Sequence, residues 1–260
     1  MRPFIIAAFS IYLAGLVAVA LHHLLKNEWL EPLSRRLLAL GAVVHTAGLI
    51  QRIYSTGHAP MASMYETLVF FSWMTIVESI IVIYRYRERL TELFTVPVAM
   101  LALAFALVKE KPGGPLTLIL RTRWFETHVI SSFAAYALFT LAFSAALLYL
   151  IHDLRRSDET EMKKFQDIAG KSILWGFFFF SASMFAGAVW AYLAWGTYWL
   201  WEPKVLWSFI VWFFYAGAMH AYYVREWRGR GLSVATVIGF FIVIFTYLGV
   251  SLLMKSSHSF

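Results

Sequence analysis

Long apolar runs broken by short polar stretches dominate the chain, and their lengths set its architecture. A helix needs about 20 apolar residues to cross the hydrocarbon core of a bilayer. Runs of that order lie near residues 4–25, 35–53, 66–85, 91–108, 129–152, 173–194, 205–225 and 231–254. The fourth is the weakest, because Pro97 interrupts it. In lipid, a helix satisfies its own backbone hydrogen bonds within one segment. The pattern predicts an all-α, polytopic integral membrane protein with about eight transmembrane helices, forming a single domain over residues 1–260. Two connections are longer than the rest. One, near 109–128, has Pro112-Gly113-Gly114-Pro115 as a turn; the other, near 153–172, reads as a charged, solvated helical connection.

Composition strengthens this picture. With 60% hydrophobic and 14% charged residues, the chain has more apolar side chain than a water-soluble core can hide. A net charge of +7 raises the question of nucleic acid, but the charges sit between membrane-length runs, so no nucleic-acid partner is predicted. Lysine and arginine stay on the cytoplasmic side. The loops after spans one, three, five and seven hold 14 of them, and the opposite side holds 8. Both termini are therefore expected outside, facing the periplasm from a bacterial inner membrane. Met1-Arg2, the apolar run behind it and Ala18-Val19-Ala20 imitate a signal peptide. Cleavage there would leave Lys26, Arg35 and Arg36 outside, against the charge rule, so span one is expected to be retained.

The chain has no cysteine, which excludes disulfides, thiolate ligands and cysteine nucleophiles. It also excludes the C-x-x-C-H element of a c-type cytochrome, so a haem held here is held without thioether bonds.

The densest chemical signal is the outward tryptophan-rich segment 186–207, with Trp190, Trp195, Trp199, Trp201 and Trp207, followed by Trp212. Tryptophan favours membrane interfaces, and an aromatic belt is one reading. A belt spreads tryptophan over all helix ends, whereas six of the chain's eleven lie between 190 and 212. With Gly196 and Thr197 between them, the indoles form a flat apolar platform suited to a large planar ligand, with Glu202 and Lys204 at its polar edge.

The stretch from Trp190 to Trp207 closely resembles the tryptophan-rich "WWD" segment of haem-handling proteins in cytochrome c biogenesis. Other stretches are similar to one branch, the CcsA/ResC type of the system II pathway. They are Gly57-His58-Ala-Pro60 through Tyr65-Glu66-Thr-Leu, Trp124-Phe-Glu-Thr-His128-Val129, and Tyr247-Leu-Gly249-Val250 with His258-Ser259 beyond it. The resemblance runs in order from about residue 45 to the end. Three departures stand out: Glu202 where the branch usually has Asp, Val205 where it has Glu, and Ser256-Ser257 where it has Gly-Leu. Val205 removes a charge, which weakens any acid role at that position.

The eight histidines divide by topology. His22, His23 and His152 fall at inner helix ends, where histidine is commonly an interfacial residue. His128 and His258 fall outside and flank the tryptophan segment. By themselves they read first as exposed polar residues; the resemblance implies that they ligate haem iron from opposite sides, as nitrogen ligands do elsewhere. His58 is also outside, within an apparent turn. His220 lies about 15 residues into span seven, roughly 22 Å from the outer face. An ionisable residue at that depth is either an interhelical hydrogen-bonding group or a functional one. The resemblance implies an inner haem ligand, with its second ligand from a partner subunit. His45, on a face with Gly41, Gly48 and Arg52, is an alternative local ligand, and Glu78 is expected at a depth from which it pairs with either histidine.

The resemblance thus implies the membrane subunit of a cytochrome c synthase, a haem lyase. Non-covalent, b-type haem would pass His220 and be presented outside between His128 and His258, for thioether attachment to an apocytochrome. It also implies a CcsB/ResB-type membrane subunit as partner and allows thiol-reducing proteins. Two other classes compete. A haem carrier delivering to a chaperone, like CcmC, is expected to have six spans rather than eight. A b-type electron-transfer cytochrome using His45 and His220 would leave the outer histidines and tryptophans without a task.

Overall fold

The computed structural model describes residues 1–156, 159–224 and 227–254. All the long apolar runs are helices. They are α1 (Arg2–Leu25), α2 (Leu30–Thr56), α3 (Met64–Tyr86), α4 (Glu92–Val108), α5 (Arg123–Leu154), α6 (Glu159–Trp195), α7 (Pro203–Tyr223) and α8 (Arg230–Ile244). The last continues through a π-helical turn, Phe245–Gly249, into a final α-helical turn, Val250–Leu253. Among the described residues, seven helices are long and apolar enough to cross a membrane. The eighth apolar helix is α4, whose 17 residues with Pro97 inside span about 25 Å. It is the span that looked weakest in sequence. The connection near 153–172 is largely helical, since α6 already starts at Glu159 and runs for 37 residues.

Local sequence explains where the helices begin and end. Ser63 caps α3, its Oγ accepting the Glu66 N–H at 3.3 Å, and Thr122 caps α5, its Oγ1 accepting the Phe125 N–H at 3.1 Å. Pro203 opens α7, where a missing N–H costs nothing. Gly196 stops α6: it takes φ +74°, a conformation that disfavours any side chain, and its N–H bonds the Tyr192 carbonyl at 2.8 Å.

The chain divides into two compact units, 1–117 and 118–260. In the first, α1 packs on α2 and α4, and α3 packs on α2 and α4. Two arginines, the buried Arg52 and the part-buried Arg89, clamp the ends of this unit. At one end, Arg52 Nε donates to Glu66 Oε1 at 2.7 Å and Arg52 Nη2 to the Lys111 carbonyl at 3.1 Å. Glu66 Oε2 accepts the Ala62 N–H at 2.7 Å. These bonds join α2, the start of α3 and the segment after α4. At the other end, Arg89 donates to Glu92 Oε1 at 2.9 Å, to the Glu31 carbonyl at 3.0 Å and to Ser34 Oγ. In the second unit, α5 and α6 form the main antiparallel pair, α8 packs on α5, and α7 packs on α6 and α8.

Only 2% of the Glu66 side chain is exposed, so its removal strands a buried guanidinium. Glu66→Ala is expected to cost about 3–5 kcal/mol, and Glu66→Gln less. Lys163→Gln, which breaks an exposed ion pair with Glu159, is expected to stay within about 0.5 kcal/mol. Thermal unfolding of the purified protein checks the contrast, and equal losses would contradict it.

Candidate functional site

The start of α5, the end of α6 and the start of α7 come together at one end of the second unit. His128 lies in the second turn of α5 and is half-buried. Its Nδ1 is 2.8 Å from the Ser183 carbonyl oxygen on α6. A carbonyl only accepts, so Nδ1 carries the proton and the imidazole lone pair lies on Nε2. Metal-ligating histidines are commonly held this way, with the other ring nitrogen donating to a backbone carbonyl. Two hydroxyls brace the contact. Ser132 Oγ donates to the His128 carbonyl at 2.8 Å and lies 2.6 Å from Ser183 Oγ. The ring fits because residue 187 is glycine, where a Cβ would stand 2.7 Å from Nδ1.

Trp190 supports the same ring. It is 3% exposed, and its indole lies near-parallel to His128, at 19° with centroids 6.1 Å apart. Its Nε1–H donates to the Ile119 carbonyl at 2.8 Å, and its flank meets Phe125 at 5.1 Å. A tryptophan of an aromatic belt would face lipid headgroups; this one is core. Trp195 meets Trp190 edge-on at 5.0 Å. Past Gly196, the Thr197 hydroxyl donates to the Trp199 carbonyl at 3.0 Å and turns the chain toward α7. Trp199 packs on Trp201 at 5.4 Å and on Phe209 at 4.6 Å, and its buried Nε1 has no acceptor among the described residues. Trp201 is 82% exposed. Trp207 meets Phe245 of the π-helical turn at 4.5 Å. Glu202 is the α7 N-cap residue, without a side-chain capping bond. Lys204 Nζ donates to Ser251 Oγ at 3.0 Å. His258 lies outside the described residues.

The other candidates sit elsewhere. His220 is in the last turn of α7, exposed, with its ring edge-on to Trp227 at 5.8 Å. A Cβ on the neighbouring Gly217 would meet nothing within 4 Å, so this face of α7 is open. In the first unit, His45 is fully buried; its Nδ1 is 3.2 Å from the Tyr12 hydroxyl and its Nε2 has no partner among the described residues. Glu78 makes no bond to it, and the buried Glu78 Oε1 is likewise without one. His58 has both ring nitrogens on backbone carbonyls, Ala59 at 2.7 Å and Gly114 at 2.9 Å, and so ties two connections together. Arg52 belongs to the buried clamp and borders a polar cleft of about 330 Å³ with Arg2, Tyr65, Glu110 and Lys111.

Residues 61–258 match the family described as Cytochrome C assembly protein. The chain belongs to that family. It is similar to "Cytochrome c biogenesis protein CcsA" of Prochlorococcus marinus strain MIT 9515, 31% identical over 244 residues, covering 82% of this chain and 78% of the relative. The CcsA protein of strain NATL1A is 28% identical over 265 residues, covering 87% and 84%. That of Synechococcus sp. strain CC9605 is 27% identical over 262 residues, covering 88% and 86%. In fold, the chain is similar to "Cytochrome c Heme Lyase CcmF", with a TM-score of 0.70 at 17% identity. That alignment covers 95% of this chain and 48% of the lyase, so the chain spans about half the lyase's length.

As a CcsA-type member of the cytochrome c assembly family, this multi-pass membrane protein acts in cytochrome c biogenesis. Within that frame, His128, Trp190 and Trp195 are brought together as a group. The sequence reading missed Ser132, Ser183 and Gly187, which set the His128 ring. A signal existed for part of this, since Ser132 follows His128 by one helical turn, and Ser183, Gly187 and Trp190 recur at helical spacing on α6.

Gly187→Ala is expected to destabilise the protein by about 1–3 kcal/mol through overpacking against His128. Gly217→Ala, into open space, is expected to be neutral or stabilising by up to about 1 kcal/mol. Unfolding midpoints of the two variants give the comparison; a harmless Gly187→Ala would mean the His128 ring is not confined as described.

Proposed function

We propose that this chain is the membrane core of a cytochrome c synthase, holding haem at the tryptophan end of its second unit for attachment to an apocytochrome. The observation that carries the reading is the Nδ1 contact of His128 with the Ser183 carbonyl, which leaves the lone pair on Nε2. Among the described residues no three His, Asp or Glu side chains gather around a metal position. A histidine prepared as a ligand therefore suits an iron that brings its own equatorial donors, as a porphyrin does. His258 is the second axial ligand in this reading, and His220 holds haem in transit.

The protein's share of the chemistry is positioning. Trp190 and Trp195 back the His128 ring, while Trp199, Trp201 and Trp207 cover one haem face and aim its vinyl groups at the client. Each cysteine thiol of the client C-x-x-C-H then adds across a vinyl double bond. A carbon–sulfur bond forms, the thiol hydrogen goes to the adjacent carbon, and the π bond is lost, with no net oxidation. The client histidine replaces one of the chain's axial ligands. A CcsB/ResB-type subunit is the partner, and the site faces the periplasm of the bacterial inner membrane.

One observation favours a second reading, an electron-transfer cytochrome of b type: the buried, unpartnered Nε2 of His45. Its proposed opposite ligand, His220, is exposed in a last helical turn, and the tryptophan end would have no task.

Imidazole in solution copies what an axial histidine donates. His128→Gly and His258→Gly are each expected to lose most covalent cytochrome product, and added imidazole is expected to restore part of it. The reduced-haem spectrum and cytochrome yield report this. A six-coordinate spectrum surviving in the double variant would sink the assignment. Replacing Trp199 or Trp201 by Ala should impair haem attachment more than replacing Trp227, and equal mild effects would return the tryptophans to an interfacial role. A reporter fused after Phe260 is expected to be active only as a periplasmic enzyme; cytoplasmic activity would reverse the topology.

A further inference from the structure

Lys204 is held in surroundings that do not match its charge. It lies in the first turn of α7, part-buried, where the helix N-terminus carries partial positive charge and no acidic residue occupies the turn. Its Nζ donates to Ser251 Oγ at 3.0 Å. That hydroxyl spends its own proton on the Tyr247 carbonyl at 2.7 Å, so it offers a lone pair but no charge. The Tyr247 ring lies 5.9 Å from Nζ, a weak cation–π contact. No carboxylate stands within ion-pair distance of Nζ among the described residues. Removing an ammonium from water without a counter-charge is unfavourable, and such a group persists where something else compensates it.

Two further observations point to a ligand. Trp199, five residues earlier, keeps a buried Nε1–H with no acceptor among the described residues. The segment thus presents two donors that no protein anion meets among the described residues, since Glu202, between them in sequence, makes no ion pair with Nζ. Tyr247, which borders Lys204, also packs edge-on against Phe133 at 5.3 Å, and Phe133 follows His128 on α5 by little more than one turn. Tyr247 itself stands in the π-helical turn, a distortion frequent at functional sites. Lys204 is thereby linked through packed rings to the helix that carries the proposed iron ligand.

We propose that Lys204 is the counter-charge for a propionate carboxylate of haem, with the Trp199 indole N–H as a second donor to the porphyrin's polar edge. This rests on the haem reading above and deepens it, since it fixes which way the macrocycle is turned. With the propionates drawn toward Lys204, the opposite edge, which carries the vinyl groups, is directed away from α7's start and toward the client. Lys204 is a positioning residue, since it touches the substrate away from the reacting carbons.

The test compares binding of iron protoporphyrin IX with binding of its dimethyl ester to the full-length protein. The ester keeps the iron, the ring and the vinyl groups and loses both negative charges. Wild-type protein is expected to prefer the free acid by about tenfold, the worth of one charge-assisted hydrogen bond. Lys204→Met is expected to bring the preference within about twofold while leaving ester affinity unchanged, and Lys204→Arg to keep it. Lys204→Met is also expected to unfold no more easily than wild type, because an apolar isostere replaces an uncompensated charge. An unchanged preference in Lys204→Met, or none in wild type, overturns the propionate anchor and leaves the haem reading standing. Failure of wild type to bind either compound overturns the haem reading itself.

Discussion

Inside apolar spans, a polar atom without a partner costs free energy that no nearby water recovers. This constraint organises the molecule. Most span hydroxyls answer it locally by donating back to the carbonyl one turn earlier, as Thr46, Thr75, Ser79, Thr140, Ser144, Thr236 and Thr246 do. Such bonds are settled within one helix and carry little information about function. The informative groups are those that reach across helices or have no partner at all. His128 reaches across to Ser183; the His45 Nε2, the Glu78 Oε1 and the Trp199 Nε1 have none among the described residues.

The same constraint explains why His128 is a stronger candidate than the other histidines. One well-made hydrogen bond is enough to fix an imidazole's tautomer, and the bond to Ser183 leaves the lone pair where a ligand needs it. His58 has two carbonyls on its two nitrogens, which suits a tie between connections rather than a metal ligand. His45 shows the opposite case, a buried ring with one nitrogen near Tyr12 and the other unsatisfied. A buried polar group left this way is either a standing destabilisation or a place for a second group.

The two units solve different problems. The first is held by arginine clamps at both ends, with Arg52 and Arg89 each binding a carboxylate and a backbone carbonyl. The clamp charges are matched inside the unit, whereas the buried Glu78 Oε1 of the same unit has no partner among the described residues. In the second, ring packing dominates: Trp190 on Phe125 and Trp195, Trp199 on Phe209, Trp207 on Phe245, Tyr247 on Phe133. Aromatic side chains give large contact areas with few rotatable bonds, which suits the proposed role of holding a rigid planar ligand. The unmatched charge of Lys204 lies in this second environment.

Run length and residue type are one-dimensional quantities, so the sequence by itself determined the all-helical membrane architecture, the weak fourth span and the tryptophan segment. It also singled out His128, because a histidine near the start of a span is visible without knowing its neighbours. The tertiary structure alone decided what each of these groups touches. The partner that fixes the His128 tautomer is 55 residues away, and the hydroxyl that holds Lys204 is 47 residues away. Helix ends add a detail: α7 starts at Pro203 and ends at Tyr223, which puts His220 in its last turn, far along the helix from the tryptophan end, with its side chain exposed. Hydrogen bonds act over about 3 Å, and no pattern along one chain records which distant carbonyl will lie within that reach.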